Sequence, residues 1–278
     1  TILGSDMSSR LAGGDISLRL SDTWILGAAA MGSHTRLCDA KSLTGPAGTI
    51  ELSHESRLWE MDIGSTYISP EFRAENGYVT RADRMSVDGE ATRRFYPNAD
   101  RIARIGIDLL SGELGLDTNR NWRDHSLGSG VVMELDNGVK LSSSVNQWSD
   151  LYADELLQGI DFNHTLNGSL NATLRYGLGF SNGDAPYYDE EAPVVGDLKS
   201  FMGRLSLRPG RRVNIVQSTT WQQFTMPDDS LAYRGYIYRL SSELYLDKNT
   251  WLRLILDRST FSEESTMETL FAWEKAPG

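Results

Sequence analysis

Apolar and polar side chains alternate along much of the chain, with the two-residue period of a β-strand. Between Leu170 and Phe180 every second residue is apolar, and the residues between them are polar or glycine. The segments that follow Val139, Phe201 and Trp251 alternate in a similar way. No apolar segment approaches the roughly 18 residues that a membrane-spanning helix needs. The pattern predicts an all-β protein built of many short amphipathic strands.

The predicted strands are joined alternately by short turns and by longer polar connections. Short turns are predicted at 136–138, 166–168, 209–211 and 247–249, and longer connections at 33–48, 148–155, 181–200, 225–235 and 259–267. In an up-and-down sheet every second connection lies at the same end, and short turns at one end with long loops at the other are typical of outer-membrane barrels. The sequence therefore predicts an antiparallel, up-and-down transmembrane β-barrel of about 16 strands (roughly 14–18).

Aromatic residues lie near many predicted strand ends, where the interfacial belt of a membrane protein would need them. These residues are Trp148, Tyr152, Tyr187, Tyr188, Trp221, Tyr233, Tyr236, Tyr238 and Trp251. A soluble β-sandwich would also show alternating strands, with an apolar face in its core and a polar face in water. The turn rhythm and the aromatic positions favour the barrel, in which the apolar face meets lipid and the polar face lines the lumen.

This orientation predicts two sets of residues on opposite faces of the strands. The lumen-facing candidates are Arg81, Asp83, Lys140, Asp161, Arg175, Arg204 and Arg253. The lipid-facing candidates are Val139, Leu141, Leu170, Leu174, Leu178, Phe180, Leu205, Leu207, Leu252, Leu254 and Leu256. Arg81 and Asp83 are expected on one face of a strand at 79–85, within reach of Asp88 or Arg94. There they would form either a lumenal network that fixes the register or a constriction that selects solutes.

Composition agrees with one barrel domain over residues 1–278. The mean hydropathy of −0.37 suits a barrel, because only one face of each strand meets lipid. The formal net charge of −11 argues against nucleic-acid binding, which needs a basic face. Acidic residues concentrate in predicted connections, as at 189–191 and 228–229. The single cysteine, Cys38, allows no intrachain disulfide.

Two short blocks carry a family resemblance. The segment from Tyr67 to Asp83 contains a Ser-Pro-Glu-Phe sequence followed by Gly-Tyr-Val, an arginine and an aspartate, and the segment from Phe271 to Gly278 contains a Trp-x-x-x-Pro-Gly sequence. Both resemble the C-terminal outer-membrane barrel domain of uncharacterised bacterial proteins that carry an N-terminal carbohydrate-binding module related to family 9. The resemblance implies a barrel in the bacterial outer membrane, with a closing strand expected after residue 278, and it implies no activity.

Candidate catalytic and metal-binding motifs are weak. Asp124, His125 and Ser126 include the residue types of a hydrolase triad, but adjacent strand residues point to opposite sides and cannot converge. The segment 117–121 resembles the start of a calcium loop without its glycine and its final glutamate. The four histidines lack the spacing of zinc ligands. No catalytic residue, cofactor or metal site is therefore predicted.

Two functions compete at this stage. The first is a non-enzymatic barrel in the bacterial outer membrane, acting as a pore for small solutes or as a membrane anchor in a surface assembly. Its predicted partners are outer-membrane lipid and, through long loops such as Ser181 to Ser200, other envelope proteins; the same loop could plug the lumen. The second is a soluble all-β protein that binds or cleaves carbohydrate, with exposed aromatic rings stacking on sugars and paired acids for the chemistry.

Overall fold

The computed structural model describes residues 8–36, 41–74, 82–189 and 192–273. Over these residues the chain forms a 15-stranded sheet in which each strand neighbours the next one along the chain. The strands are β1 (Ser8–Arg19), β2 (Trp24–Arg36), β3 (Ser42–Glu55), β4 (Trp59–Ile68), β5 (Arg84–Phe95), β6 (Ile102–Leu116), β7 (Trp122–Leu135), β8 (Lys140–Tyr152), β9 (Glu155–Ser169), β10 (Leu174–Tyr187), β11 (Val194–Leu207), β12 (Val213–Thr225), β13 (Leu231–Tyr245), β14 (Thr250–Ser259) and β15 (Ser265–Trp273). None of the described residues belongs to a helix that could cross a membrane.

The chain divides into two compact units. The first is formed by Thr1–Arg94, Ile107–Ser129 and Trp148–Leu156, and the second by Phe95–Gly106, Gly130–Gln147 and Leu157–Gly278. In the first unit β1 to β5 pair in antiparallel fashion in chain order. In the second, β9 to β15 do the same. The predicted all-β, antiparallel, up-and-down order is confirmed.

Several predicted connections are wrong, because strands continue through them. The predicted loop from Ser181 to Ser200 consists mainly of the ends of β10 and β11, with a connection only at 188–193. β2 and β3 take up most of 33–48, and β8 and β9 leave only residues 153 and 154 between them. The predicted turn at 166–168 lies inside β9, and the chain turns at 170–173 instead.

The longest segment between two described strands is 69–83, between β4 and β5, and the structure describes residues 69–74 and 82–83 of it. Its described start is fastened to the β2–β3 hairpin: Phe72 is 2% exposed, the Arg73 backbone N–H donates to Ser33 Oγ at 2.9 Å, and Ser33 Oγ donates to the Gly45 carbonyl at 3.3 Å. A side chain at Gly45 would collide with the backbone of this connection. The Ser-Pro-Glu-Phe block of the resemblance therefore anchors the connection in the first unit.

Large apolar side chains lie mainly on the surface of each unit. Among the described residues, the buried apolar side chains are only Ala47, Phe72, Leu157, Phe224 and Ile255. By contrast, Leu178 is 44% exposed and Leu205 is 41% exposed. A soluble sandwich would bury such leucines between two layers. The sheet instead presents its apolar face outward, as a barrel in lipid does.

Candidate functional site

The polar face of the first unit carries mainly acidic residues. Residues directly opposite in antiparallel strands share a face, and Asp62 of β4 lies opposite Glu90 of β5. One row further, Asp88 lies opposite Gly64, where a side chain would approach the Asp88 carboxylate to 2.7 Å. Arg94 forms an ion pair with Glu60 on the same face. Like charges placed directly opposite destabilise a sheet, so the Asp62–Glu90 pairing is a feature that folding alone does not explain.

An arginine at the start of β5 joins three strands of the first unit. Arg84 Nη1 donates to Asp124 Oδ2 at 2.8 Å, Nη2 donates to Asp124 Oδ1 at 3.0 Å, and Nη2 also donates to Glu113 Oε1 at 2.5 Å. The Arg84 side chain is 18% exposed and that of Asp124 is 20% exposed. A two-pronged pair of this kind fixes direction as well as distance. We name Arg84, Glu113 and Asp124 the arginine clamp.

Asp83 lies outside the strands, which corrects the prediction of a strand at 79–85. Its backbone adopts a φ of 57°, and β5 begins only at the next residue. The Asp83 carboxylate accepts hydrogen bonds from the backbone N–H and the hydroxyl of Thr118, and Arg123 lies 3.9 Å away. The partner predicted for Asp83, Arg94, instead pairs with Glu60 and lies 3.7 Å from Glu55. Arg81, the other member of the predicted pair, lies outside the described residues.

The connection 117–121 is closed by its own residues. The Asp117 carboxylate accepts from the backbone N–H and the side-chain amide of Asn121, each at 2.8 Å, and from Arg123 at 3.3 Å. The Asn121 amide, followed by backbone donors and Arg123, holds the pKa of Asp117 below its ordinary value. The carboxylate suggested as a calcium ligand is thus occupied by protein donors. Among the described residues, no group of three or more acidic, histidine or cysteine side chains could hold a metal ion.

The residues of the weak triad motif contact different partners. Asp124 belongs to the arginine clamp, whereas the His125 ring nitrogen Nδ1 lies 2.7 Å from the hydroxyl of Ser149, and the ring packs near Trp122. The alternation of side chains along β7 therefore separates Asp124 from His125. The arrangement provides no converging nucleophile, base and acid of the kind a hydrolase needs.

Polar residues of the second unit form small pairs on the strands. Arg104 donates to Glu134 at 2.9 Å, and Lys140 lies 4.0 Å from the same carboxylate. Asp161 accepts from Asn146 and Asn163. Arg253, opposite Glu243 in the register, lies over the Trp251 ring at 5.7 Å. The placement of Lys140, Asp161 and Arg253 in the lumen stays a prediction.

A cluster of arginines in the second unit lines a cavity of about 510 Å³. Three arginines line it: Arg175 on β10, Arg204 on β11, and Arg208 immediately after β11. Ser206, the residue opposite Arg175, is two positions from Arg204, so the two arginines are diagonal neighbours on one face. Polar residues complete much of the lining, and none of the described lining residues is acidic. We name this cavity the arginine cavity.

The opposite face of the second unit shows where the apolar band ends. Phe180, Phe201, Trp221 and Tyr236 are successive register partners from β10 to β13. Two residues further along the strands, the same face carries a row of polar partners: Asn182, Lys199, Gln223 and Arg234. Aromatic rings that give way to charged groups in a single step are typical of a membrane–water interface. Of the residues predicted for the belt, this row contains Trp221 and Tyr236.

The lipid-facing candidates divide into strand and turn residues. Those on strands are Leu141, Leu174, Leu178, Phe180, Leu205, Leu207, Leu252, Leu254 and Leu256. Val139 lies immediately before β8 and Leu170 immediately after β9, outside the strands. Tyr176, Leu205, Gln217, Leu240, Leu256 and Met267 then form one continuous row. Contact of these residues with lipid stays a prediction.

The arginine clamp and the arginine cavity were not found from sequence. Arg84 and Asp124 are separated by 40 positions, and only the strand register brings them together. One local signal existed for the cavity, since Gly177 and Gly179 follow Arg175 at two-residue spacing and leave its face free of side chains. Glycines inside a strand often mark a close approach of another group.

Comparison with solved structures shows similarity over nearly the whole chain to a porin refined at 1.8 Å resolution: the TM-score is 0.51, the identity is 7%, and 95% of this chain and 98% of the porin are covered. The chain is also similar to CdiB from Acinetobacter baumannii, with a TM-score of 0.42 and 13% identity over 95% of this chain and 59% of CdiB. For OccK5 (OpdH) from Pseudomonas aeruginosa the TM-score is 0.39 and the identity 9%, over 96% of this chain and 97% of OccK5.

No protein-family model matches the chain, and no curated protein matches it significantly. The resemblance to the barrel domain of the carbohydrate-binding proteins therefore stays a prediction. Antiparallel strands in chain order, an exposed apolar face with an aromatic border and the similarity to a porin establish the fold. The chain has the fold of a porin-like transmembrane β-barrel of the outer-membrane type.

Proposed function

We propose that the protein is a non-enzymatic pore of the bacterial outer membrane that passes small hydrophilic solutes along the polar face of its strands. The observation that carries this proposal is the contrast between the two faces of one sheet. One face shows exposed leucines bordered by the row from Phe180 to Tyr236. The other carries charged groups such as Asp62, Glu90 and Arg204, which would be costly against lipid and suit a water-filled lumen.

A membrane anchor for a surface assembly is the second candidate. The structure removes the long loop from Ser181 to Ser200 on which a docking or plugging role was expected, because β10 and β11 occupy most of it. Among the segments between described strands, 69–83 is the longest, and its described start is held by Phe72 and Ser33. The pore is therefore the better supported function. Binding of another envelope protein belongs to the second candidate, the membrane anchor.

Planar-bilayer recording of the purified protein tests the pore. We expect discrete current steps, and a folded barrel that gives no current would favour the anchor. Folding is checked separately, because a folded barrel should resist SDS at room temperature and shift on a gel only after boiling.

A matched pair of variants links any current to the polar face. Asp62→Asn removes an acidic group from that face, whereas Asp197→Asn removes one from the outward side, where Asp197 pairs with Lys199 at 3.1 Å. A lumenal carboxylate attracts cations electrostatically. Asp62→Asn should therefore lower the cation preference measured as a reversal potential across a salt gradient, and Asp197→Asn should leave it unchanged. Equal shifts in the two variants would contradict conduction along the polar face.

A further inference from the structure

We propose that the arginine cavity is a binding site for small oxyanions, namely the phosphate or carboxylate groups of solutes. The inference rests on the proposed function in one respect, since it names a solute class for the same polar face. The arginine cavity is positively charged, whereas the formal net charge of the protein is −11. A cavity that gathers arginines in an acidic protein needs its own explanation.

The positive charge of the arginine cavity is not compensated by acidic side chains of the described residues. Neither Arg175 nor Arg204 forms an ion pair with another described residue, and both side chains are exposed to the cavity side of the sheet. Arg208 donates from Nε to the neutral Asn214 at 3.0 Å. The cavity therefore holds positive charge that the described protein groups leave uncompensated.

Two acidic side chains on the neighbouring strands β13 and β14 are engaged elsewhere. Asp257 lies 3.5 Å from Arg239, and Glu243 accepts from the Asn214 amide at 3.2 Å and from the Tyr245 hydroxyl at 3.2 Å. In a network that only fixed the strand register, these carboxylates would be expected to pair with the cavity arginines. Their other contacts leave the guanidinium groups available to an anion from solution.

Glycine residues leave open space in front of the arginines. Gly177 lies directly opposite Arg204, and a Cβ atom at Gly177 would be 4.0 Å from the Arg204 Cβ and only 2.7 Å from the Asn167 side-chain oxygen. Gly179 continues the same bare strip of β10. The glycines keep a cavity of about 510 Å³ open beside the guanidinium groups.

The lining of the cavity provides hydrogen-bond donors that suit an oxyanion. A guanidinium group donates two parallel hydrogen bonds to a carboxylate or phosphate. Around the arginines lie hydroxyl groups that can donate further hydrogen bonds to the same oxygens, from Ser206, Ser218 and Thr220. Two neighbouring forks with hydroxyl donors fit an oxyanion and repel a cation.

Inorganic phosphate is the probe for the test, with the full chain held in uncharged detergent so that no lipid headgroup supplies the anion. Binding is measured by calorimetry at low ionic strength, because exposed charges are screened by salt. We expect saturable binding that Arg204→Gln or Arg175→Gln weakens at least about tenfold, the effect of losing one charge-assisted hydrogen bond. Arg204→Lys should retain part of the affinity, because it keeps the charge and loses the fork.

Arg234→Gln is the control of equal charge change. Arg234 lies on the outward polar row, where it donates to Gln223 at 2.9 Å. Its loss should leave phosphate binding unchanged. If Arg234→Gln and Arg204→Gln lowered the phosphate affinity equally, the change would reflect net charge alone, and the proposed site would be overturned.

The outcome is independent of conduction. Absence of saturable phosphate binding in the wild type would overturn the site even if the protein forms channels. Binding that depends on Arg175 and Arg204 in a protein that gives no current would support the site and refute the pore. If both hold, phosphate should reduce the current of the wild type and not that of Arg204→Gln.

Discussion

Gly115 of β6 offers a sharp test of the arginine clamp. A Cβ atom added at this position would lie 2.8 Å from Asp124 Cγ and 3.1 Å from Arg84 Nη2, and still closer to Asp124 Oδ1. Ordinary contacts of this kind begin at about 3.4 Å. Gly115→Ala should therefore push the Asp124 carboxylate out of its two-pronged contact with Arg84. Gly27→Ala is the matched control, because a Cβ atom at Gly27 would meet nothing within 4 Å.

The expected change in the free energy of unfolding follows from the charged groups that the substitution displaces. A hydrogen bond to a charged group contributes about 1.5–3 kcal/mol, and partial exposure of both side chains places the clamp toward the lower part of that range. Replacing glycine by alanine also stabilises a compatible backbone by about 0.4–1 kcal/mol through the unfolded state. We expect Gly115→Ala to lower the free energy of unfolding by about 1–1.5 kcal/mol, and Gly27→Ala to be neutral or slightly stabilising.

A double-mutant cycle separates the clash from any general effect at Gly115. Without the Asp124 carboxylate the added methyl group displaces only the end of the flexible Arg84 side chain. In an Asp124→Ala background, Gly115→Ala should therefore become neutral or stabilising, with a coupling energy of about 2 kcal/mol. The measurement is urea unfolding in phospholipid vesicles, followed by tryptophan fluorescence. An equal cost of Gly115→Ala in both backgrounds would refute the role assigned to the clamp.

Three further predictions concern other parts of the barrel. Leu205→Arg should destabilise the barrel in vesicles by about 2–4 kcal/mol, because it puts a charge on the apolar face near the middle of the band, whereas Ser206→Arg on the polar face should cost much less in the same urea titration. The depressed pKa of Asp117 means that its contacts with Asn121 stabilise the connection 117–121 above the ordinary pKa of about 4, and that this contribution is lost as pH falls through the lower folded value. The protection factor of the Asn121 backbone amide against hydrogen exchange should accordingly fall at acid pH in the wild type, and should be low at all pH values in Asp117→Ala. Ala153→Gly should raise the free energy of unfolding by about 1 kcal/mol, because it removes the left-handed strain at a φ of 49°; a lower thermal midpoint would contradict this.

Sequence alone was sufficient for the sheet and its two faces. Alternation along β10, β11 and β14 predicted which side chains share a face, and the turns at 136–138, 209–211 and 247–249 fixed the hairpin order. The lengths of the connections were not predictable from the same pattern. Backbone pairing continues beyond the apolar band, where side chains such as Asn182 and Lys199 are polar on the outward face as well. The apolar–polar pattern therefore predicts a loop in such a polar segment, although the hydrogen bonds between the strands continue through it.

The wrongly predicted loop from Ser181 to Ser200 also explains why the arginine cavity was not predicted from the sequence. Arg175 and Arg204 are diagonal neighbours because β10 and β11 pair in one register from Leu174 and Leu207 through to Tyr187 and Val194. A loop from Ser181 to Ser200 leaves that register undefined, because a shift of one residue would put Arg204 opposite a different residue and on the other face. The charge at the cavity is thus a property of the register, and a sequence method that placed the turn at 188–193 would have paired the two arginines.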